Sequence, residues 1–430
     1  MIRPCILWND QRTARQCRIM LRRIGLKKIL EMTGNTVLPG FTAPKILWVR
    51  DEEPAAFNRI ANIILPKDYI RYMMTGAISS DVADASGTAL FDVRRRRWSE
   101  EMIRSLGIPR NWLPMVTESH VVSSRVSHAG SRATGLLSGT PVIAGAGDQA
   151  AQAVGTGIID EPSASVTIGT SGVVFAASRS FRSEPSGSLH AFCHAVPERW
   201  HLMGVMLSAG GSLRWFRDTL AWKELTKSRN QRVDVYDIIT REAAKARPGS
   251  EGLIFLPYLA GERTPYADPD ARGVFFGLSL RHEKSHLSRA VMEGVTFGLR
   301  DSMDLLRKAG IHTRKIRVSG GGSRSHFWRQ MVSDIFDLPA ETVTITEGAA
   351  YGSALLAGVG CGVFPDAQAA VDRAIRVRKV HKPGPARRIY PDYYRRYRSL
   401  YATLAAEFKA LTKVVDKSQA DRDNQRNRKT

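Results

Sequence analysis

Cysteine is scarce, with four in 430 residues (Cys5, Cys17, Cys193 and Cys361) and no CxxC pair. That excludes a disulfide framework or a zinc knuckle and points to a reducing, cytoplasmic compartment. Long apolar runs are lacking too. The opening Met1-Ile2-Arg3-Pro4-Cys5-Ile6-Leu7-Trp8 is too short for a signal-peptide core, and Asn9-Asp10 follow at once, so no secretion signal is read. The longest uncharged stretch, 348–365, is broken by Gly348, Gly352, Gly358, Gly360 and Gly362, which suits a buried helix and its turn rather than a membrane span. No repeat of fixed period occurs, which sets a solenoid aside.

Acidic residues are outnumbered, 41 against 63 Lys and Arg, for a net charge of +22. The excess collects in Arg12–Lys28, Arg94–Arg97, Arg373–Arg398 and the last residues. No zinc finger, RNP or basic-zipper pattern accompanies it, so it reads as general basicity rather than nucleic-acid binding. It also suits an anionic substrate. A length of 430 residues with 43% hydrophobic and 24% charged residues predicts a soluble globular protein of two domains.

Pro4–Trp8 reads as a short strand, Gln11–Met32 as a helix ending near Gly34, and Thr42 as a cap for the helix through Arg50. Ile63–Pro66 reads as another strand, followed by a helix over Lys67–Thr75 and a loop of small polar residues, Ser79–Gly87, placed to line a site. Three buried-type strands then stop at glycines. Pro141–Ala144 leads to Gly145-Ala146-Gly147-Asp148-Gln149, Ser165–Ile168 to Gly169-Thr170-Ser171-Gly172, and Lys315–Ser319 to Gly320-Gly321-Gly322-Ser323 with a helix over Phe327–Phe336. Strands alternating with helices predict α/β layers. Residues 416–430 offer no apolar side chain larger than Ala and read as a disordered basic tail.

Three such junctions suggest a nucleotide cradle, because glycine lets backbone N–H groups approach phosphate closely. Taken alone, Gly169–Gly172 reads as a hairpin turn ahead of a phosphate nest. Asp148, on a glycine-flanked turn with a helix behind it, reads first as an N-cap; a carboxylate there is also open to a substrate as a general base, and the two roles are compatible. Gly210-Gly211-Ser212 and Gly320–Ser323 accommodate a flat adenosine or simply close helix packing. His190 and His194 alternate in a strand rather than at metal-ligand spacing and read as structural.

At these residues the sequence resembles the FGGY carbohydrate kinases, over Pro4 to about Lys413. One family signature stands as Gly40-Phe41-Thr42-Ala43-Pro44-Lys45-Ile46-Leu47-Trp48-Val49-Arg50-Asp51-Glu52, and the other as Gly273-Val274-Phe275-Phe276-Gly277-Leu278, continuing through His286-Leu287 to Ala290-Val291-Met292-Glu293. Trp8-Asn9-Asp10-Gln11-Arg12-Thr13, Ser86–Val93, Phe192-Cys193-His194-Ala195 and Gly261-Glu262-Arg263-Thr264-Pro265 are similar to the members that act on ketopentoses. The resemblance implies two actin-like, ribonuclease-H-like domains closing on a cleft, and transfer of the ATP γ-phosphate to a ketopentose, D-xylulose foremost, with ATP and Mg2+ as cofactors. By position it implies Asp148 as the base and Gln149 as a substrate neighbour. Gly169, Thr170 and Ser171 would meet the γ-phosphate, and Gly210, Gly211, Gly320, Gly321 and Ser325 the nucleotide. No residue is singled out as a metal ligand.

Family members place a strand, an Asp-x-Gly-Thr-Ser-type phosphate loop, a hairpin and a Gln-Met-His-Gly-like sugar segment ahead of the part matching Trp8-Asn9-Asp10. None of these appears here. The expectation is therefore an N-terminally truncated first domain lacking its first strands, with residues 1–158 the sugar side, 159–415 the nucleotide side and 416–430 the tail. Two alternatives accompany the kinase reading: an inactive fragment of such a kinase, and a basic nucleic-acid-binding protein on a kinase scaffold. The partners implied are sugar and ATP, without membrane, and homodimer formation is left open.

Overall fold

Small and β-branched residues from Ser163 to Ile168 form the strand around which the larger body is organised, with Ala164, Val166 and Ile168 pointing into its core. The computed structural model describes the backbone of residues 1–345 and 347–427 and side chains through Ser418. The central sheet has seven strands, in the order Val377–His381, Ala340–Val343, Lys315–Ser319, Ser163–Ile168, Gly172–Ser178, Trp200–Met206 and His190–Cys193. The strand 163–168 pairs parallel with 315–319 and antiparallel with 172–178. Its C-terminal end therefore opens beside that of 315–319, and the Gly169 and Gly320 loops emerge together.

The helix Lys284–Lys308 covers one face of this sheet with Val291, Val295, Leu299, Met303 and Leu306, and the helix Tyr390–Asn427 adds Tyr390, Tyr394, Tyr397 and Phe408 to the same core. A second core, built from Met20, Ile29, Leu47, Leu90, Phe91 and Met102, fills the smaller body. There the described strands are short pairs: Ser79–Asp81 with Met115–Thr117 in parallel, and Phe91–Asp92 with Arg97–Trp98 and Val122–Arg125 with Pro141–Ile143 antiparallel. Ala150 and Val154 join Leu355, Leu356 and Val371 in a third cluster that also takes in Ala83 from the smaller body.

Several local expectations are corrected. Pro4–Trp8, which runs into a turn at Trp8, and Ile63–Leu65 form no ladder among the described residues, and Leu7 and Trp8 are 59% and 70% exposed; a strand needs a partner, which periodicity alone does not supply. The helix over 11–32 is two helices, Ala14–Ile24 and Leu26–Thr33, broken where Gly25 takes φ 88°. Thr42 is the first helical residue, after the cap Phe41. The final helix continues through Asn427 where disorder was expected for 416–430, and residues 428–430 lie outside the described residues. Extending a helix from a packed stem adds one hydrogen bond per residue without a new nucleus, so lack of apolar side chains does not stop it.

Candidate active site

Pro141–Ile143 ends at a glycine turn in which Gly145 takes φ 79°, and the chain turns directly into the helix Asp148–Gly155. Gly147 occupies the cap position, so Asp148 begins the first turn. Its carboxylate is exposed; Oδ1 accepts the Gln149 N–H at 2.9 Å and Oδ2 accepts Gln149 Nε2 at 3.2 Å. The base candidate thus stands at the positive end of a helix, with Gln149 beside it.

The Ser79–Gly87 segment supplies the neighbouring wall. A Cβ on Gly147 would stand 3.3 Å from Asp84 Oδ1, so the glycine makes room for that carboxyl group. Lys67 Nζ lies 2.5 Å from Asp68, 2.6 Å from Asp81 and 3.8 Å from Asp84. Burial pushes the Asp84 carboxyl up to about 7; Asp81, Asp68 and Asp148 act in the same direction and Lys67 against it. Burial works against the Lys67 charge, but the three flanking carboxylates outweigh it and hold the ammonium above its usual range. Asp81 also caps its own short helix, accepting Ala83 N–H at 2.8 Å and Asp84 N–H at 3.1 Å.

The larger body carries the other glycine loops. Gly169–Ser171 is the turn of a β-hairpin, with Gly169 N–H donating to Ser171 O at 3.0 Å and Thr170 and Ser171 exposed. The helix Gly210–Leu220 docks on it: Gly210 N–H donates to Gly169 O at 2.7 Å and Gly211 N–H to Thr170 O at 3.0 Å. A Cβ at Gly210 would lie 2.5 Å from Gly169 O, and one at Gly320 2.6 Å from Ile168 O. These glycines let three backbones meet. The Gly210 and Gly211 N–H groups are spent on the hairpin rather than turned outward. Gly321 differs, with open space where a Cβ would stand. Ser325 caps the helix His326–Phe336 by accepting Trp328 N–H at 3.2 Å.

The helix that carries Asp148 is tied to this body. Gln152 Nε2 donates to Thr167 Oγ1 at 3.0 Å, and Thr167 Oγ1 and Ser319 Oγ share a hydrogen bond at 2.9 Å. Arg317 donates to Thr156 O at the helix's other end. Gly155 and Gly352 lie against the backbone of the opposite helix, where any side chain would strike Gly348 O or Ala151 O.

The structure thus brings the Gly169–Ser171 turn together with Gly210, Gly211 and Gly320, and ties the helix that begins with Asp148 and Gln149 to the strands behind those loops through Gln152, Thr167 and Ser319. It assigns Ser325 a cap and Gly210, Gly211 and Gly320 a packing role. Motif reading did not single out Gln152, Asp84 or Arg214, whose Nη2 donates to Thr170 Oγ1 at 3.1 Å. Gln152 had a visible signal, as a lone polar residue among Ala150, Ala151, Ala153 and Val154. His190 and His194 are both buried, at 6% and 0% exposure. His194 bonds Ile158 O through Nε2 at 3.0 Å and accepts Val196 N–H at Nδ1, and burial brings it down to about 4. Among the described residues no three His, Cys, Asp or Glu side chains are arranged so that they could hold a metal ion, and no helix is long and apolar enough to cross a membrane.

Two family models match in chain order: the N-terminal domain of the FGGY family of carbohydrate kinases over residues 1–155, and its C-terminal domain over 164–361. The chain belongs to the FGGY carbohydrate kinases. Among its relatives, the xylulose kinase of Escherichia coli (strain K12) is 42% identical over 360 residues, 84% of this chain and 72% of that protein. The xylulose kinase of Klebsiella pneumoniae is 39% identical over 413 residues, 96% of this chain and 81% of that one. The crystal structure of xylulose kinase from Rhodospirillum rubrum superposes with a TM-score of 0.87 at 29% identity, covering 95% of this kinase and 81% of that chain. The two-domain, actin-like architecture expected from the sequence is therefore the fold of this kinase, and ATP is its phosphoryl donor.

Proposed function

We propose that this kinase transfers the γ-phosphate of Mg-ATP to a ketopentose, D-xylulose foremost, with Asp148 as the general base. The observation that carries the reading is the placement of the exposed Asp148 carboxylate on a helix hydrogen-bonded to the strands that end in the Gly169 and Gly320 loops. The xylulose kinases among its relatives supply the sugar. The 5-hydroxyl gives its proton to Asp148 as its oxygen bonds to Pγ, the bond from Pγ to the β,γ-bridging oxygen breaks, and ADP leaves. Such a transfer needs alignment and charge stabilisation more than covalent help. Thr170, Ser171 and Arg214 border the γ-phosphate side, and Gly321 leaves space for the nucleotide. Mg2+ enters as part of the substrate, on the ATP phosphates.

The domain boundary is placed at 158/159, with sugar on the first side and nucleotide on the second. A sugar panel with ADP release as readout tests the assignment. D-xylulose is expected to stimulate release most; stimulation by a different sugar class, or by none, overturns it.

A further inference from the structure

Asp148 and Gln152 are four residues apart in a helix of eight, so Gln152 stands about one turn behind the base on the same face. Its amide crosses out of the helix. Gln152 Nε2 has only protons to give, so Thr167 Oγ1 accepts, and the Thr167 hydroxyl in turn shares a hydrogen bond with Ser319 Oγ in which either oxygen can donate. Thr167 precedes Gly169 by two residues and Ser319 immediately precedes Gly320. Three half-buried polar groups thus connect the helix of the base to the ends of two adjacent parallel strands, at the points where both glycine loops begin. Gly348 leaves room for this amide, since a Cβ there would stand 3.0 Å from Gln152 Cγ.

We infer that Gln152, acting through Thr167 and Ser319, is a positioning residue that sets the register of the Asp148 helix against the loops on the nucleotide side. The inference rests on the phosphotransfer reading above. The Gly155–Gly352 contact brings two smooth helix surfaces together and fixes their separation, but smooth surfaces resist sliding and rotation poorly. A directional hydrogen-bond chain resists both, and in-line transfer is sensitive to displacements of the order of 1 Å. Arg317 on Thr156 O holds the far end of the helix, leaving Gln152 as the tie near the base.

The test is a double-mutant cycle on kcat with Gln152→Met and Thr167→Val, both close in size to the residues they replace. Each single variant is expected to lower kcat about 5- to 30-fold while KM for ATP and for sugar stays within about twofold. The double variant should be no slower than the slower single one, because one chain is broken either way. Gln152→Glu, which offers Thr167 a carboxyl partner, should recover most of the loss. Unchanged kcat, additive losses, or no recovery in Gln152→Glu overturns the inference. If the unmodified kinase releases no ADP in response to any sugar, the phosphotransfer reading fails by itself. Hydrogen exchange over 148–156 then decides the role of Gln152: faster exchange in both single variants supports it, and unchanged exchange overturns it.

Discussion

Asn35 pairs with Ala191 through both halves of its amide: Nδ2 donates to Ala191 O at 2.8 Å and Oδ1 accepts the Ala191 N–H at 2.9 Å. Ala191 lies on the edge strand of the seven-stranded sheet and Asn35 just after the helix Leu26–Thr33 of the other body. The side chain satisfies a sheet edge that would otherwise present unpaired backbone groups. Asn35→Ala is expected to destabilise the kinase by about 2–4 kcal/mol, the cost of leaving buried donors and acceptors without partners. Asn35→Asp should keep the bond from Ala191 N–H but set a carboxylate against Ala191 O, so its deficit should shrink on acidification. Denaturant unfolding at two pH values measures both.

Glu262 dictates a pH dependence. Its Oε1 accepts Leu207 N–H at 3.1 Å and Arg263 N–H at 2.7 Å, whereas Oε2 is buried without a partner. Burial pushes this carboxyl up to about 8, with Asp301 acting in the same direction, from an ordinary value of 4.5. Between those values the folded chain keeps a proton that the unfolded chain has released, so stability falls as pH rises from about 4.5 to about 8 and the loss is complete above that. Glu262→Gln, a neutral mimic of the protonated form, should leave Tm near the parent's at pH 5 and raise it at pH 9. Equal Tm differences at both pH values would contradict the assignment.

Gly352 carries a steric prediction. An added methyl would meet Ala151 O, and Gly155 approaches Gly348 O in the same way from the opposite helix. Ala favours a helix over Gly by about 1 kcal/mol, but a backbone carbonyl cannot turn aside as a side chain can. Overpacking against it should cost about 1–3 kcal/mol more than that gain. Gly352→Ala should therefore lower Tm and reduce kcat together, because it displaces the helix bearing Asp148. A raised Tm would show that the helices can part without loss.

Much of this was legible in the residues. Strands ending in glycine loops marked Gly169 and Gly320, and two long signatures, from Gly40 and from Gly273, identified the family. Less legible were features that depend on a partner distant in sequence. Pro4–Trp8 has strand composition but no ladder, and Asn35 meets Ala191 only after folding. Gln152 is an ordinary polar residue until Thr167 and Ser319 stand opposite it. The glycine loops also show how one composition serves two ends. Gly210 and Gly320 are needed because backbones touch there, while Gly321 faces open space, and no local pattern separates the two.

The proposed reaction turns on the Asp148 carboxylate acting as the base. Because the side chain is exposed and, among the described residues, bonds only to Gln149, Asp148→Asn should fold with a Tm close to the parent's. The decisive measurement is D-xylulose-dependent ADP release from Mg-ATP by the parent and by Asp148→Asn. Release is expected in the parent and a fall of about 100-fold or more in the variant, in line with the loss of a general base. Sugar-dependent release at the parent's rate in Asp148→Asn would contradict the account.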